Sequence, residues 1–135
     1  ADVAELFAVA EQAEPGTVLA IDAEVPGRLR VCREPMSRAV AGVVSGAGDL
    51  HAGVLLGGAS DHQAGTPVAL SGRVWVKADA TQRPIHVGDL LVSAERSGFA
   101  AAAKNPAKAG GKILGKAMSS LEAGTGLVLV LVNLQ

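Results

Sequence analysis

Aromatic side chains are almost missing from this chain. It has no tyrosine, one tryptophan (Trp75) and two phenylalanines (Phe7 and Phe99), although nearly half of its 135 residues are hydrophobic. Valine, leucine, isoleucine and alanine must therefore build the core, and such small side chains require close backbone spacing. The chain length corresponds to a single domain, residues 1–135, and the 17 glycines suit many tight turns. We expect an all-β domain, a small glycine-rich barrel or barrel-like sandwich.

Other scarcities exclude several functional classes. The single cysteine, Cys32, rules out an internal disulfide and a cysteine-based metal cluster. A formal charge of −1 and a pI near 6.3 provide no basic surface for nucleic acid or an anionic membrane. No stretch is long and apolar enough to span a bilayer, and the first residues lack the pattern of a signal peptide. We expect neither nucleic acid nor a membrane as a partner.

The clearest strand pattern lies between Pro67 and Lys77. Aliphatic and polar residues alternate there with a period of two, which is typical of a half-buried strand. Gly72 interrupts the pattern without changing its phase, so we expect a bend or a close backbone approach within one long strand. On the outer face, Arg73, Trp75 and Lys77 form a candidate face for a ligand or partner, because an indole ring offers a flat apolar surface. The alternative is an ordinary solvated face whose tryptophan packs under a loop.

Turn residues divide the rest of the chain into short strands. We predict strands at 2–9, 18–22, 29–31, 40–45, 54–56, 84–93, 99–103, 112–118 and 127–134, with a hairpin turn at Pro26–Gly27 and a loop at 105–111. The first of these also fits a short helical turn.

Two parts of the chain follow a similar order of motifs, which suggests an internal duplication. The segments at 16–19, 27 and 40–43 match those at 88–91, 98 and 113–116 in order and nearly in spacing. Two similar β units would pack as halves of one barrel. The alternative is chance recurrence, since glycine and aliphatic residues are so common here.

The last predicted strand, residues 127–134, is apolar on both faces. A barrel this small covers only one face of a strand with its own core, so the other face needs a partner. We therefore predict a homo-oligomer. The candidate interface residues are Leu127, Val128, Leu129, Val130, Leu131 and Val132.

Motifs that suggest chemistry are incomplete. Residues 110–116 (GGKILGK) approach a phosphate-binding loop, but Ala117 stands where that loop needs a hydroxyl, and the context is loop and strand. None of His51, His62 and His86 has the spacing of a zinc site, and we expect them to be exposed in loops. A site built by one histidine from each chain of a trimer is the alternative.

Four aspartates lie at strand ends or in turns, where a carboxylate accepts hydrogen bonds from local N–H groups; they are Asp22, Asp49, Asp79 and Asp89. We expect this capping role for each of them. The sequence supports no catalytic residue, no cofactor and no metal ligand.

Eight segments together resemble a recurring C-terminal β-domain of bacterial and phage fibrous proteins. In chain order they are AELFAV, EPGTVLAID, RLRV, VAGVVSGAG, PVALSGRVWVKAD, PIHVGDLLVS, ILGKAM and LVLVLVNLQ. More distantly, residues 4–45 resemble the β-region of the autoproteolytic intramolecular-chaperone domain of phage neck-appendage and tail-spike proteins. Chaperone function in that family belongs to long helical segments downstream, which this sequence does not contain, so no self-cleavage is carried over.

The resemblance implies a domain at the end of an elongated trimer, where it helps to fold, register or cap the fibre. It favours the C-terminal part of a longer chain and a virion or extracellular location. We therefore predict a non-enzymatic structural or assembly module that promotes trimerisation. The alternative is a carbohydrate- or small-molecule-binding module, or a β-barrel enzyme, with its site at a subunit interface. A single tryptophan and no tyrosine give little material for a sugar-binding platform.

Overall fold

The computed structural model describes residues 2–48, 52–56 and 65–135, and for 52–56 it describes the backbone alone. Ten strands occupy these residues: β1 Asp2–Phe7, β2 Val18–Ile21, β3 Leu29–Val31, β4 Val40–Val44, β5 Ala52–Leu56, β6 Thr66–Asp79, β7 Leu90–Ser93, β8 Ala100–Ala102, β9 Gly115–Ala117 and β10 Thr125–Asn133. A short 3-10 helix, Pro106–Lys108, lies between β8 and β9. The prediction of a small all-β barrel is confirmed.

The predicted strands all coincide with observed ones, within two residues at most ends, but two of them are much shorter than predicted. The strand predicted at 84–93 begins only at Leu90, because a turn at Gly88 precedes it. Before that turn, Ile85 forms an isolated bridge with Leu121. The strand predicted at 112–118 is reduced to Gly115–Ala117.

The C-terminal half closes into a five-stranded barrel. Its ring of paired strands runs β6, β10, β9, β7, β8 and back to β6. The last closure is slight, since β6 and β8 share one parallel pair, Ala78 with Ala100. Buried valines from β6 and β10 fill the interior, among them Val74 and Val130.

The N-terminal half has a similar but less complete ring. β3, β2, β4 and the first part of β6 pair in turn, and β6 pairs with β1. The chain closes towards β3 outside the strands, where Val9, two residues beyond β1, forms an isolated parallel bridge with Leu29. Leu19, Val44 and Val68 lie in its separate apolar cluster. β5 pairs in parallel with β1.

Both rings share β6, which changes its partner at Gly72. Residues 66–72 of β6 pair with β1, whereas residues 71–79 pair with β10. Gly72 has a φ of +88°, which an L side chain rarely adopts, and the pairing with β1 shifts register close by. The expected bend at Gly72 is therefore confirmed.

The same backbone hydrogen bond occurs at corresponding positions of the two similar segments. In the first unit, residues 2–71, the N–H of Gly16 donates to the carbonyl of Val44 at 2.8 Å. In the second unit, residues 72–133, the N–H of Gly88 donates to the carbonyl of Ala117 at the same distance, 2.8 Å. Each donor glycine lies two residues before a short strand, β2 or β7, and each acceptor is in the strand beside it, β4 or β9.

Strand register agrees with this assignment. Leu19 of β2 lies opposite Val31 of β3 on one side and Gly42 of β4 on the other. The second unit repeats this pattern, with Leu91 of β7 between Ala102 of β8 and Gly115 of β9. Because partners on both sides correspond, the similarity extends beyond short glycine motifs.

The glycines of the two third strands have a common steric role. A Cβ at Gly42 would lie 2.5 Å from the carbonyl oxygen of Ala69, and one at Gly115 would collide with the carbonyl oxygen of Leu131. Each glycine thus lets its strand approach the long strand beside it.

We predict that Gly115→Ala lowers the free energy of unfolding by about 3 kcal/mol or more, because backbone atoms must move to admit the methyl group. Gly110→Ala is the matched control, since a Cβ there meets nothing within 4 Å. Urea denaturation of both variants checks this. Equal stabilities would contradict the close approach of β9 and β10.

Candidate functional site

The side chains of β10 alternate between the barrel interior and the molecular surface. Val128 and Val130 are fully buried, and Val132 is nearly so. Leu127 and Leu131 are 43% and 44% exposed, and Leu129 between them is half-buried. Of the six residues proposed as an interface, the three valines belong to the barrel core. The three leucines remain available to a partner.

The leucines lie directly beside the other predicted face. Leu127, Leu129 and Leu131 are opposite Lys77, Trp75 and Arg73 of β6 in the register of the sheet. The candidate ligand face and the candidate oligomer interface are therefore one surface.

β9 extends the surface on the other side of β10. Lys116 is exposed and pairs with Leu131, and the N–H of Met118 donates to the carbonyl of Leu129 at 2.7 Å. Met118 is 43% exposed. We call this surface the leucine face; its members are Arg73, Trp75, Lys77, Lys116, Met118, Leu127, Leu129 and Leu131.

Trp75 is not an open platform. It is half-buried, and a Cβ at Gly48 would lie 2.9 Å from its Cδ1 atom, so the loop at Gly48 packs against the indole ring. This contact supports the alternative raised from the sequence, a tryptophan that packs under a loop. It weighs against stacking of a sugar on that side of the ring.

Lys77 is held by two neighbours. Its Nζ donates to Glu14 Oε1 at 2.7 Å and lies 4.6 Å from the centre of the Phe99 ring. The hydrogen bond from Lys77, followed by the attraction of its charge, lowers the pKa of Glu14. Arg73, at the other end of the leucine face, is exposed.

Three of the four aspartates have the predicted capping role. Asp22 Oδ1 accepts a hydrogen bond from the Glu24 N–H at 2.9 Å, and Asp79 Oδ1 accepts one from the Thr81 N–H at 2.9 Å. Asp89 Oδ2 accepts a bond from the N–H of His86 at 2.8 Å. Asp49 lies outside the described residues, as do His51 and His62.

A groove of about 470 Å³ lies where β6 and β8 diverge after their single pair. Its charged groups bond within the protein: Arg96 Nε lies 3.2 Å from Asp79 Oδ2, and Arg83 Nη1 donates to the carbonyl of Ala102 at 3.1 Å. Burial raises the pKa of Asp79, but hydrogen bonds from Thr81 and Arg96 outweigh it and leave the pKa below its ordinary value. A second carboxylate in the groove, Glu95, accepts a hydrogen bond from Gln82 Nε2 at 3.0 Å. Both carboxylates of the groove are therefore engaged in hydrogen bonds within the protein.

In the part of the chain that the structure describes, no three His, Cys, Asp or Glu side chains converge as metal ligands. His86 is exposed, with Nδ1 3.9 Å from Asp89 Oδ2, and Cys32 is buried. Within the same ranges, no helix combines the length and apolar character needed to cross a bilayer.

Lys116 and Met118 of the leucine face were not predicted from the sequence. The alternation at residues 116–118 contained the necessary signal, since Ala117 points into the barrel and its two neighbours point outward. What was lacking was the knowledge that β9 lies next to β10.

The ionisation of Asp22 should make the thermal stability of the fold depend on pH. Its bond from the Glu24 N–H, and then its bond from Arg28, lower its pKa below the ordinary 3.8. A lowered pKa in the folded state stabilises the fold above pH 3.8, and this contribution disappears as the pH falls through the folded value. We expect Asp22→Asn to have a lower Tm than the wild type at pH 7, and the difference to shrink well below pH 3.8.

The matched control for this thermal denaturation series is Glu122→Gln, which changes an exposed carboxylate. It should track the wild type throughout. A Tm difference for Asp22→Asn that is independent of pH would contradict the role of the charge.

No family model, curated protein or solved structure matches this chain.

Proposed function

We propose that this chain is a non-enzymatic structural module that associates with copies of itself through the leucine face. One observation supports the proposal above all others. The barrel covers Val128, Val130 and Val132 of β10, and the leucines that alternate with them stay exposed. Half-buried Trp75 on β6 and exposed Met118, the residue after β9, flank these leucines on either side of β10.

The energy available from such a surface is large. Burying about 600 Å² of apolar surface per chain contributes on the order of 15 kcal/mol before the entropy of association is subtracted. Soluble monomers seldom leave contiguous apolar patches on their surface unless a partner covers them. A monomer would therefore be the minor species at micromolar concentration.

The trimer and the fibre are supported by the sequence resemblance. The eight segments named above are distributed along almost the whole chain, and the domains that they resemble sit at the ends of elongated trimers. We propose the same place for this module, at the end of a phage-like or surface fibre, with itself as partner and a virion or extracellular location. It would register or cap the trimer.

The alternative function, a small-ligand or carbohydrate module or a β-barrel enzyme, would use the groove beside Asp79. The groove is large enough for a small molecule, and Met36 of the first unit contributes to its wall. Pairing of Asp79 with Arg96 makes this the weaker proposal, since a ligand would have to compete with that ion pair.

Substitutions on β10 separate the interface from the core. Leu129→Asp should give a folded, soluble protein of lower mass, because Leu129 faces outward, whereas Val130→Asp should unfold the chain, because Val130 is fully buried. Asn133→Asp, an exposed change on the same face of β10, should leave the mass unchanged. Light scattering at micromolar concentration, with circular dichroism as the folding check, measures these outcomes.

A wild-type species of monomer mass, 13.5 kDa, would overturn the proposal. A dimer would leave self-association standing and remove the trimer. An unchanged mass for folded Leu129→Asp would move the interface away from the leucine face.

A further inference from the structure

One pair of backbone hydrogen bonds joins a turn of the second unit to the first unit. Among the described residues, the corresponding turn of the first unit forms no such bonds to the second unit. Gly98, in the turn between β7 and β8, inserts between the ends of β2 and β3. Its carbonyl accepts the N–H of Val18 at 2.9 Å, and its own N–H donates to the carbonyl of Cys32 at 2.8 Å. Gly98 is buried, and a Cβ there would lie 3.0 Å from Thr17 Cγ2. The second unit thereby closes the end of the first.

The first unit has the same turn, but there the turn is exposed to solvent. Arg28 donates to the Val25 carbonyl at 3.1 Å, as Phe99 donates to the Arg96 carbonyl at 3.1 Å in the second unit. Gly27 has a φ of +84°, against +79° for Gly98. Yet Gly27 is exposed, with open space around it.

Within residues 2–48, 52–56 and 65–135, the N–H and carbonyl of Gly27 have no backbone hydrogen-bond partner. Two apolar side chains flank this turn in solvent, Ile21 at 56% exposure and Val25 at 41%. We call residues 25–28 the Gly27 turn.

The second unit has the matching receptor, also free. Ala103 donates to the Leu90 carbonyl at 2.8 Å, as Cys32 donates to the Val18 carbonyl at 3.0 Å. The Leu90 N–H and the Ala103 carbonyl correspond to the two groups that bond Gly98. In an antiparallel strand the N–H and carbonyl of one residue lie on the same side, so the Leu90 N–H points towards Ala103, as its carbonyl does, and away from Lys116 of β9. Among the turn and loop hydrogen bonds of the described ranges, none involves the Leu90 N–H or the Ala103 carbonyl.

This part of the second unit also exposes apolar surface, since Val87 is 68% exposed. A Cβ at Gly88 would meet nothing within 4 Å, whereas one at its counterpart Gly16 would contact Lys77 and Leu127. We call Val87, Leu90 and Ala103 the Leu90 site.

We propose that the Gly27 turn of one copy inserts into the Leu90 site of the next copy, as Gly98 inserts between β2 and β3 within the chain. The Gly27 carbonyl would accept the N–H of Leu90, and the Gly27 N–H would donate to the carbonyl of Ala103. This inference rests on the proposed self-association and names the segment that enters the partner.

Charge and apolar surface support this pairing. The Gly27 turn is preceded by the exposed Glu24, and the Leu90 site lies between two exposed cations, Lys104 in sequence and Lys116 in the sheet. Four of the exposed large hydrophobic residues would then lie at or near the contact: Val25 on the turn, Ile21 at the end of β2 before it, Val87 on the site, and Leu131 beside Lys116.

The leucine face corresponds to a surface that is already covered in the first unit. The counterparts of Leu131 and Lys116 are Ala69 and Val43, which pair in the same way and are both fully buried. A second copy on the Leu90 site would therefore lie next to the leucine face and help to cover it.

Turn and site are different surfaces, so the contact is heterologous: it closes into a ring such as a trimer or continues as a filament. A twofold dimer would not use it.

Two single substitutions test the pairing by complementation. Val25→Asp disables the turn and leaves the site, and Val87→Asp disables the site and leaves the turn; both residues are exposed, so both variants should fold. In sedimentation velocity, at a concentration where the wild type is assembled, each variant alone should lose the oligomer and run at 13.5 kDa. Their equimolar mixture should give a species of twice the monomer mass and nothing larger, since one turn and one site remain functional.

Hydrogen exchange gives an independent readout. The Leu90 amide should be protected in the assembled wild type and exchange at least tenfold faster in Val87→Asp, while the Val18 amide, bonded within the chain, keeps its protection in both.

The possible failures are distinguishable. A monomeric wild type overturns the proposed function and this inference together. A wild-type oligomer that persists in both folded variants overturns only this inference, and so does a mixture in which no dimer forms.

Discussion

Strand β6 is the element on which both rings depend. Its even-numbered side chains face the interior throughout, Val68 and Leu70 in the first ring and Val74 and Val76 in the second. A strand can serve two rings in this way only if the side-chain phase is kept while the backbone changes direction. Gly72 meets this condition, since it bends the chain and exchanges β1 for β10 as partner without inverting the faces.

The shared strand also determines the asymmetry between the units. Because β6 carries one ring directly into the next, the turn at Gly98 reaches the end of the first unit, whereas the corresponding turn at Gly27 is exposed and has no backbone hydrogen bond to the described residues of the second unit. The residue types at corresponding positions of the two units differ in the same way. Ala69 and Val43 are small or aliphatic where they are covered, whereas their counterparts Leu131 and Lys116 combine a large apolar side chain with a cation at an exposed position.

A catalytic site formed by the carboxylates of one chain has less support than an interface between chains. The carboxylates that attract attention in the sequence, Asp22, Asp79 and Asp89, accept hydrogen bonds from their own turns. Hydrogen bonds of this kind lower the pKa of Asp22 and Asp79, so these groups stay ionised and hold structure. Among the described residues, the buried Asp2 Oδ1 lacks a hydrogen-bond partner, although Ser45 Oγ donates to Asp2 Oδ2 at 2.8 Å. At the surface, what is left uncovered is mainly apolar side chains and backbone groups, which another polypeptide chain can satisfy.

The sequence by itself determined the strands and their faces. A period of two at residues 68–76 is visible without any tertiary information, because successive side chains of a strand point to opposite sides. Glycine at Gly27, Gly72 and Gly98 was equally readable, since few other residues adopt a positive φ. The repeated order of motifs predicted the duplication for the same local reasons.

Tertiary structure alone decided which strands are neighbours, and this choice created the candidate site. Arg73 and Leu131 are far apart in sequence and become cross-strand partners only because β10 pairs with the second half of β6. The slight closure at Ala78 and Ala100 and the insertion of Gly98 but not Gly27 depend on the same long-range pairing. Such contacts follow from how two rings pack around one strand, a property of the whole chain that no local pattern of side chains encodes.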